Sequence, residues 1–183
     1  LIERREPRPG EETPELVWDP YPYSGEPRSV AGLGDLSSRV WVADSMEKGT
    51  PLTFPSDRPS RQIDLELAGN ERESAQICVT AGRLDGWHEG GLEITPLKRK
   101  DGTPFSGSVI WQRIGYIPRR PGGALHSLSP DPSEFWIPDP LLPAGPFRVR
   151  PGSTQGLWLT AYASPDSKPG VYRGKVRVLR DGK

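Results

Sequence analysis

Two runs of strict two-residue alternation between Ile63 and Ala81 constrain the fold of this chain more than any other feature. Their apolar positions are Ile63, Leu65, Leu67, Ala75, Ile77, Val79 and Ala81. Polar or small residues stand between these positions, and a period of two is typical of strands with one buried face. Gly69 and Asn70, which tolerate the positive φ of a turn, separate the runs. The stretch therefore predicts two antiparallel strands joined by a turn.

Alternating or short apolar runs recur along the chain, at Arg39 to Ala43, Leu92 to Ile94, Ser108 to Ile117, Phe147 to Val149, Gly156 to Ala163 and Val171 to Leu179. In Gly156 to Ala163, leucines and alanines alternate with Trp158, Thr160 and Tyr162. The 21 glycines and 22 prolines interrupt the sequence too often for long helices. We predict an all-β fold, an antiparallel β-sandwich of about seven to nine strands with long Pro/Gly-rich loops.

The predicted sandwich spans residues 38–183 and is preceded by an arm. Residues 1–37 carry repeated prolines, so an extended, polyproline-like conformation is expected there. Because Trp18, Tyr21 and Tyr23 are too apolar for a free tail, we expect the arm to pack on the domain.

Composition excludes several function classes. Twenty-four basic and twenty-four acidic residues cancel, so nucleic acid is not an expected partner. No apolar run is long enough to span a membrane. Cys78 is the single cysteine and is expected to be buried and inert, and His88 and His126 are the only histidines. We therefore expect no disulfide, metal site or cofactor.

The carboxylates Glu71 and Glu73 form the one close pair at the boundary of a predicted strand. Glycosidases use two carboxylates that face one sugar across a gap of roughly 5–10 Å. Beside Arg72 and at the start of a strand, however, the two are interpreted as making ion pairs and turn hydrogen bonds. We therefore expect no catalytic residue within this chain.

Aromatic residues in predicted loops are candidates for carbohydrate binding, because sugar rings stack on exposed aromatic faces. These residues are Tyr21, Tyr23, Trp87 and Trp136. Trp111, on the polar face of its strand, is a further candidate. The alternative is that these rings close the ends of the sandwich core.

The segment Phe135 to Pro143 is a candidate docking surface. It lies in a proline-rich stretch, residues 125–146, that is expected to form a long ordered loop. Its large apolar side chains are Phe135, Trp136, Ile137, Leu141 and Leu142. We expect part of them to stay exposed for contact with another domain. The alternative is a lid over the domain's own core.

The order of five motifs resembles a known family. They are RVWVADSMEK (Arg39 to Lys48), NERESAQ (Asn70 to Gln76), PDPLLP (Pro138 to Pro143), TQGLWLT (Thr154 to Thr160) and KPGVYRGKVRV (Lys168 to Val178). Together they resemble the amino-terminal β-sandwich domain of bacterial proteins like glycoside hydrolase family 123. The resemblance covers about residues 38–180.

The resemblance implies a parent protein that continues beyond Lys183 into a catalytic (β/α)8 barrel. Such a barrel would hold the acid pair and act on β-linked N-acetylgalactosaminides with help from the substrate's acetamido group. The expected role of this chain is thus a non-catalytic accessory domain whose partner is its own catalytic domain. We expect a soluble bacterial protein, secreted, periplasmic or at the cell surface, from which upstream sequence before Leu1 has been removed. The alternatives are a carbohydrate-binding module for oligosaccharides or a structural sandwich without ligand.

Overall fold

The computed structural model describes residues 37–56, 58–82, 84–118 and 136–181, and within them the chain forms eight strands and no helix. The strands are β1 (Arg39–Asp44), β2 (Arg72–Thr80), β3 (Trp87–Ile94), β4 (Gly107–Pro118), β5 (Trp136–Leu142), β6 (Phe147–Val149), β7 (Thr154–Ala163) and β8 (Val176–Arg180). Five form an antiparallel sheet in the order β1-β2-β7-β4-β5, and three form a second in the order β6-β3-β8. The predicted all-β sandwich is confirmed.

The core lies between the two sheets. The five-stranded sheet and its continuation contribute Ile77, Val79, Ala81, Leu157 and Leu159, and the three-stranded sheet contributes Trp87, Leu92, Phe147 and Val149. Val79 and Leu157 have no exposed surface. Burying such a side chain stabilises the fold by about 1.5–3 kcal/mol. The alternation of β2 and β7 directs every second side chain into this core.

The stretch Ile63 to Ala81 forms one strand rather than two. Its second run is β2, whereas the first is extended, with Ile63 and Leu65 packed against the core, but pairs with no strand. Just before this first run, Val42 N of β1 donates a hydrogen bond to Ser60 O at 2.9 Å. The predicted turn is confirmed, because Asn70 has a φ of 66° and Glu71 N donates to Ala68 O at 3.3 Å.

Two other strand predictions had the wrong bounds. β3 begins at Trp87, within a predicted loop, because Gly90 allows close strand packing: a Cβ there would lie 2.3 Å from the Phe147 ring. Glycine in a strand often marks such an approach. At the last strand, only β8 joins the ladder with β3, and the predicted strand residues before it make an isolated bridge between Arg173 and Lys98. Gly174 instead abuts Leu97, whose Cδ2 lies 2.5 Å from the position of an added Cβ.

The prediction that residues 125–146 form a loop is wrong for β5, which pairs with β4. Because β5 is paired on one side only within the described residues, its prolines do not interrupt that ladder. Pro140 packs over Gly115, where an added Cβ would lie 2.7 Å from Pro140 Cγ. The Arg113 guanidinium fixes the following turn by donating to Pro143 O at 3.1 Å and to Pro146 O at 3.0 Å.

Candidate functional site

The two carboxylates of the predicted pair have different surroundings, and Glu71 is part of a turn. Glu71 accepts a hydrogen bond from Ala68 N at 2.6 Å and so closes the turn before β2. Glu73 lies two residues further on, within β2 and next to Arg72. The guanidinium of Arg72 lies 4.4 Å from the centroid of the Tyr162 ring. The turn role expected for Glu71 is thus confirmed. Among the described residues, no group of three His, Cys, Asp or Glu side chains is arranged to hold a metal ion.

Trp87 is a core residue rather than a loop residue. It is 7% exposed, and its Nε1 donates to Ser38 Oγ at 3.2 Å. The Arg180 guanidinium lies 5.5 Å from its ring centroid. Arg180 also pairs with Asp85 and, by hydrogen bonding, lowers the pKa of that carboxyl. Burial of the indole argues against the expected stacking role for Trp87.

The other residues predicted to bind sugar differ in where they lie in the structure. Trp136 begins β5 and is half-buried, so it lies in a strand and not in the expected loop. Trp111 packs against the core, so its predicted position on the polar face of its strand is wrong. Tyr21, Tyr23 and Phe135 lie outside the described residues, as does the predicted arm except for Ser37. Carbohydrate binding through Trp136, Tyr21 and Tyr23 stays a prediction.

Apolar side chains lie along the edge of the five-stranded sheet, on both of its faces, since neighbouring residues of a strand point to opposite faces. We call the residues Ile117, Trp136, Ile137, Leu141 and Leu142 the β5 edge surface. Ile117 and Ile137 pair directly across β4 and β5, and each is 42% exposed. Leu141 is 41% exposed, whereas Trp136 and Leu142 are half-buried. These side chains are therefore not fully buried as a lid over the domain's own core.

The prolines of β5 determine how this edge can be contacted. Pro138 and Pro140 lie within the strand and Pro143 follows it, and none has an N–H group to offer a further strand. Natural sheets use prolines at edges to prevent pairing with another chain. Contact at the β5 edge surface must therefore come from side-chain packing.

The outer face of the five-stranded sheet, which points away from the core, is partly covered. Next to β1, Trp41, Ala43 and Cys78 form a small buried cluster. Burial, with a smaller contribution from Glu47, raises the pKa of the Cys78 thiol to about 12, as fits the expected inert thiol. Beside this cluster, the amide of Gln76 donates to Asp44 O at 2.7 Å and to Glu47 O at 2.6 Å. The loop after β1 thus covers this part of the face.

Further along, the same face is open and carries the side chains of β2, β7 and β4 in cross-strand rows. Trp158 stands between Gln76 and Gln112, Thr160 between Ser74 and Ile110, and Tyr162 between Arg72 and Ser108. Trp158, Thr160 and Tyr162 are half-buried, and Ile110 is 53% exposed. The alternation of Gly156 to Ala163 already placed Trp158 opposite the leucines, but only the pairing of β7 identifies its neighbours.

The comparisons with known proteins concern the fold. No protein-family model matches the chain, and no curated protein matches it in sequence. Solved structures do match. One is a family 123 glycoside hydrolase from Clostridium perfringens, analysed for the details of glycolipid glycan hydrolysis, with a TM-score of 0.55 and 12% identity. The match covers 79% of this chain and 25% of that one.

The chain shares its fold with part of that glycoside hydrolase. The likeness agrees with the resemblance of the five motifs at the level of the fold. Since the chain spans about a quarter of the length of the matched structure, the reaction of the whole hydrolase is not assigned to it. In the described part of the chain, no helix has the length and apolar character needed to cross a membrane.

Proposed function

We propose that this chain is the non-catalytic β-sandwich accessory domain of a bacterial carbohydrate-active enzyme and supports its catalytic domain. The observation that carries the proposal is the match to a glycoside hydrolase over most of this chain but only a quarter of the other. The turn role of Glu71 agrees with it, because this carboxylate stabilises the turn before β2.

The catalytic partner follows from the motif resemblance. We propose a (β/α)8 domain beyond Lys183 that acts on β-N-acetylgalactosaminides. The glycan hydrolysis reported for the C. perfringens enzyme supports a glycan-directed partner. Catalytic residues are assigned to that domain and none to this chain.

We assign the contact with the catalytic domain to the β5 edge surface. Interfaces between domains of one chain typically bury about 600–1,500 Å². The cross-strand pair of Ile117 and Ile137, with Leu141 on the same edge strand, offers an apolar centre for such an interface. The prolines of β5 keep this edge from recruiting a strand of another molecule while leaving its side chains free to pack.

The first test is the coding sequence beyond Lys183. The proposal expects a continuation long enough for a (β/α)8 barrel, about 250 residues. A stop codon at this point would remove the partner and overturn the accessory role.

The second test is hydrolysis of aryl N-acetylgalactosaminides. The longer protein is expected to hydrolyse them, whereas residues 1–183 are not. Turnover by this chain that survives purification and is lost in Glu71→Gln or Glu73→Gln would assign catalysis to the carboxylate pair and reject the proposal.

A further inference from the structure

We propose that the open part of the outer sheet face binds a neutral saccharide, with Trp158 as the stacking platform. The choice of a saccharide as the ligand rests on the proposed function. The new element is a second surface, separate from the β5 edge surface. Trp158 occupies the central strand of the sheet and is half-buried. Its side chain lies on the face opposite Leu157 and Leu159 of the core.

Unpaired polar groups beside the ring indicate a ligand with hydroxyl groups. Neither the Trp158 indole N–H nor the Gln112 amide has a hydrogen-bond partner within the described ranges, and no buried side-chain polar atom there is left unsatisfied. Both groups are therefore open to solvent. Gln112 is directly opposite Trp158, so the two side chains start about 5 Å apart. A pyranose ring on the indole would bring its hydroxyls within reach of the amide.

The next row extends this surface. Thr160 follows Trp158 on the same face, about 7 Å along the strand. Its hydroxyl hydrogen-bonds to Ser74 Oγ at 3.0 Å, and each hydroxyl keeps further capacity for a ligand. Ile110 beside Thr160 is 53% exposed and supplies an apolar contact. Aromatic, amide, hydroxyl and aliphatic groups thus lie side by side, as a sugar with apolar C–H faces and polar edges requires.

Charges stand only at the margins of this surface. Arg72 occupies one end, where it covers the Tyr162 ring, and Glu47 lies beyond Gln76 at the other. Because the rows of Trp158 and Thr160 contain no ionisable side chain, a neutral sugar fits better than an anionic one.

The test is a titration of residues 1–183 with β-linked N-acetylgalactosaminide, galactose and glucose oligosaccharides, followed by the indole N–H resonances. The chain has six tryptophans, and Trp158→Phe identifies the Trp158 signal by its loss. We expect that signal to shift with saturation near a Kd of about 1 mM. Trp158→Ala is expected to weaken binding at least tenfold, by about 1.4 kcal/mol or more.

Matched variants separate this site from the other surfaces. The double variant Ile117→Thr/Ile137→Thr, on the β5 edge surface, is expected to keep saccharide binding. A Trp158 signal that none of the saccharides moves at about 10 mM would overturn the inference. So would binding that is lost in Trp136→Ala and kept in Trp158→Ala. Neither result tests docking of the catalytic domain, which is measured along β5 and not at Trp158.

Discussion

Substitution of Thr80 by Val tests the buried hydrogen bonds that hold the covered part of the outer face. Trp41 Nε1 donates to Thr80 Oγ1 at 3.0 Å, and Thr80 Oγ1 is 2.8 Å from Thr154 Oγ1. The three side chains are 6%, 0% and 4% exposed, so water cannot replace a lost partner without rearrangement. Valine keeps the shape of threonine but leaves the indole N–H and the Thr154 hydroxyl without their shared partner.

The expected loss of unfolding free energy follows from these two orphaned groups. Each buried group left unsatisfied costs about 1–3 kcal/mol. The Thr154 hydroxyl can rotate to another acceptor, so we expect a total of about 2–4 kcal/mol for Thr80→Val. That is a large part of the 5–15 kcal/mol typical of a domain.

In urea unfolding, this loss should appear as a lower midpoint concentration for the variant, with the same m value as the wild type. Thr160→Val is the matched control, because its hydroxyl is half-buried and reachable by water; its cost should stay within about 0.5 kcal/mol. In Trp41→Phe the indole donor is absent, so adding Thr80→Val should cost about 1 kcal/mol less than in the wild type. If Thr80→Val lowers the unfolding free energy no more than Thr160→Val does, the buried hydrogen bonds of Thr80 do not stabilise the fold as proposed.

Three further predictions concern the thiol, the β4–β5 contact and the exposed apolar pair. Cys78 should resist a disulfide reagent at pH 8 until the protein unfolds. The unfolding free energy should fall as the pH rises from the pKa of the unfolded thiol, about 8.5, toward that of the folded thiol, about 12, because the thiol ionises first in the unfolded chain. Gly115→Ala should lower the urea midpoint, since its Cβ would meet Pro140 at 2.7 Å; an unchanged midpoint would contradict this packing. Ile117→Thr/Ile137→Thr should reduce any self-association seen by sedimentation, while its unfolding free energy stays within about 1 kcal/mol of the wild type. If the double variant associates as strongly as the wild type, the two isoleucines do not form an apolar contact between molecules.

The sequence predicts the strands of the sandwich well where alternation marks one buried face. β6 and β7 were located nearly residue by residue because their patterns match their burial. The bounds of β4 were predicted equally well but its faces were not, since Trp111 packs against the core and Ile110 is 53% exposed. The run at Ile63 alternates as well, yet the segment packs on the core without a ladder. Alternation reports which side chains are buried, and says nothing about whether the backbone has a strand to pair with.

Prolines and glycines account for the other errors. Proline suggested a loop at β5, but an edge strand loses no ladder bond when its proline faces away from the paired neighbour. The loop predicted around Trp87 is part of β3, where the absent side chain of Gly90 makes room for Phe147. These effects depend on partners distant in the sequence. For the same reason the candidate saccharide surface was missed: Trp158 was visible on the polar face of its run, but Gln112 joins it only through the pairing of β4 with β7.

Amide hydrogen exchange along β5 tests the accessory role most directly. The measurement compares residues 1–183 with the longer protein that includes the catalytic domain, following the amides of Ile137, Leu141 and Leu142. If the β5 edge surface docks, these amides should exchange at least about tenfold more slowly in the longer protein, while those of the central strand β7 stay the same. Equal exchange along β5 in both proteins would contradict docking at this edge.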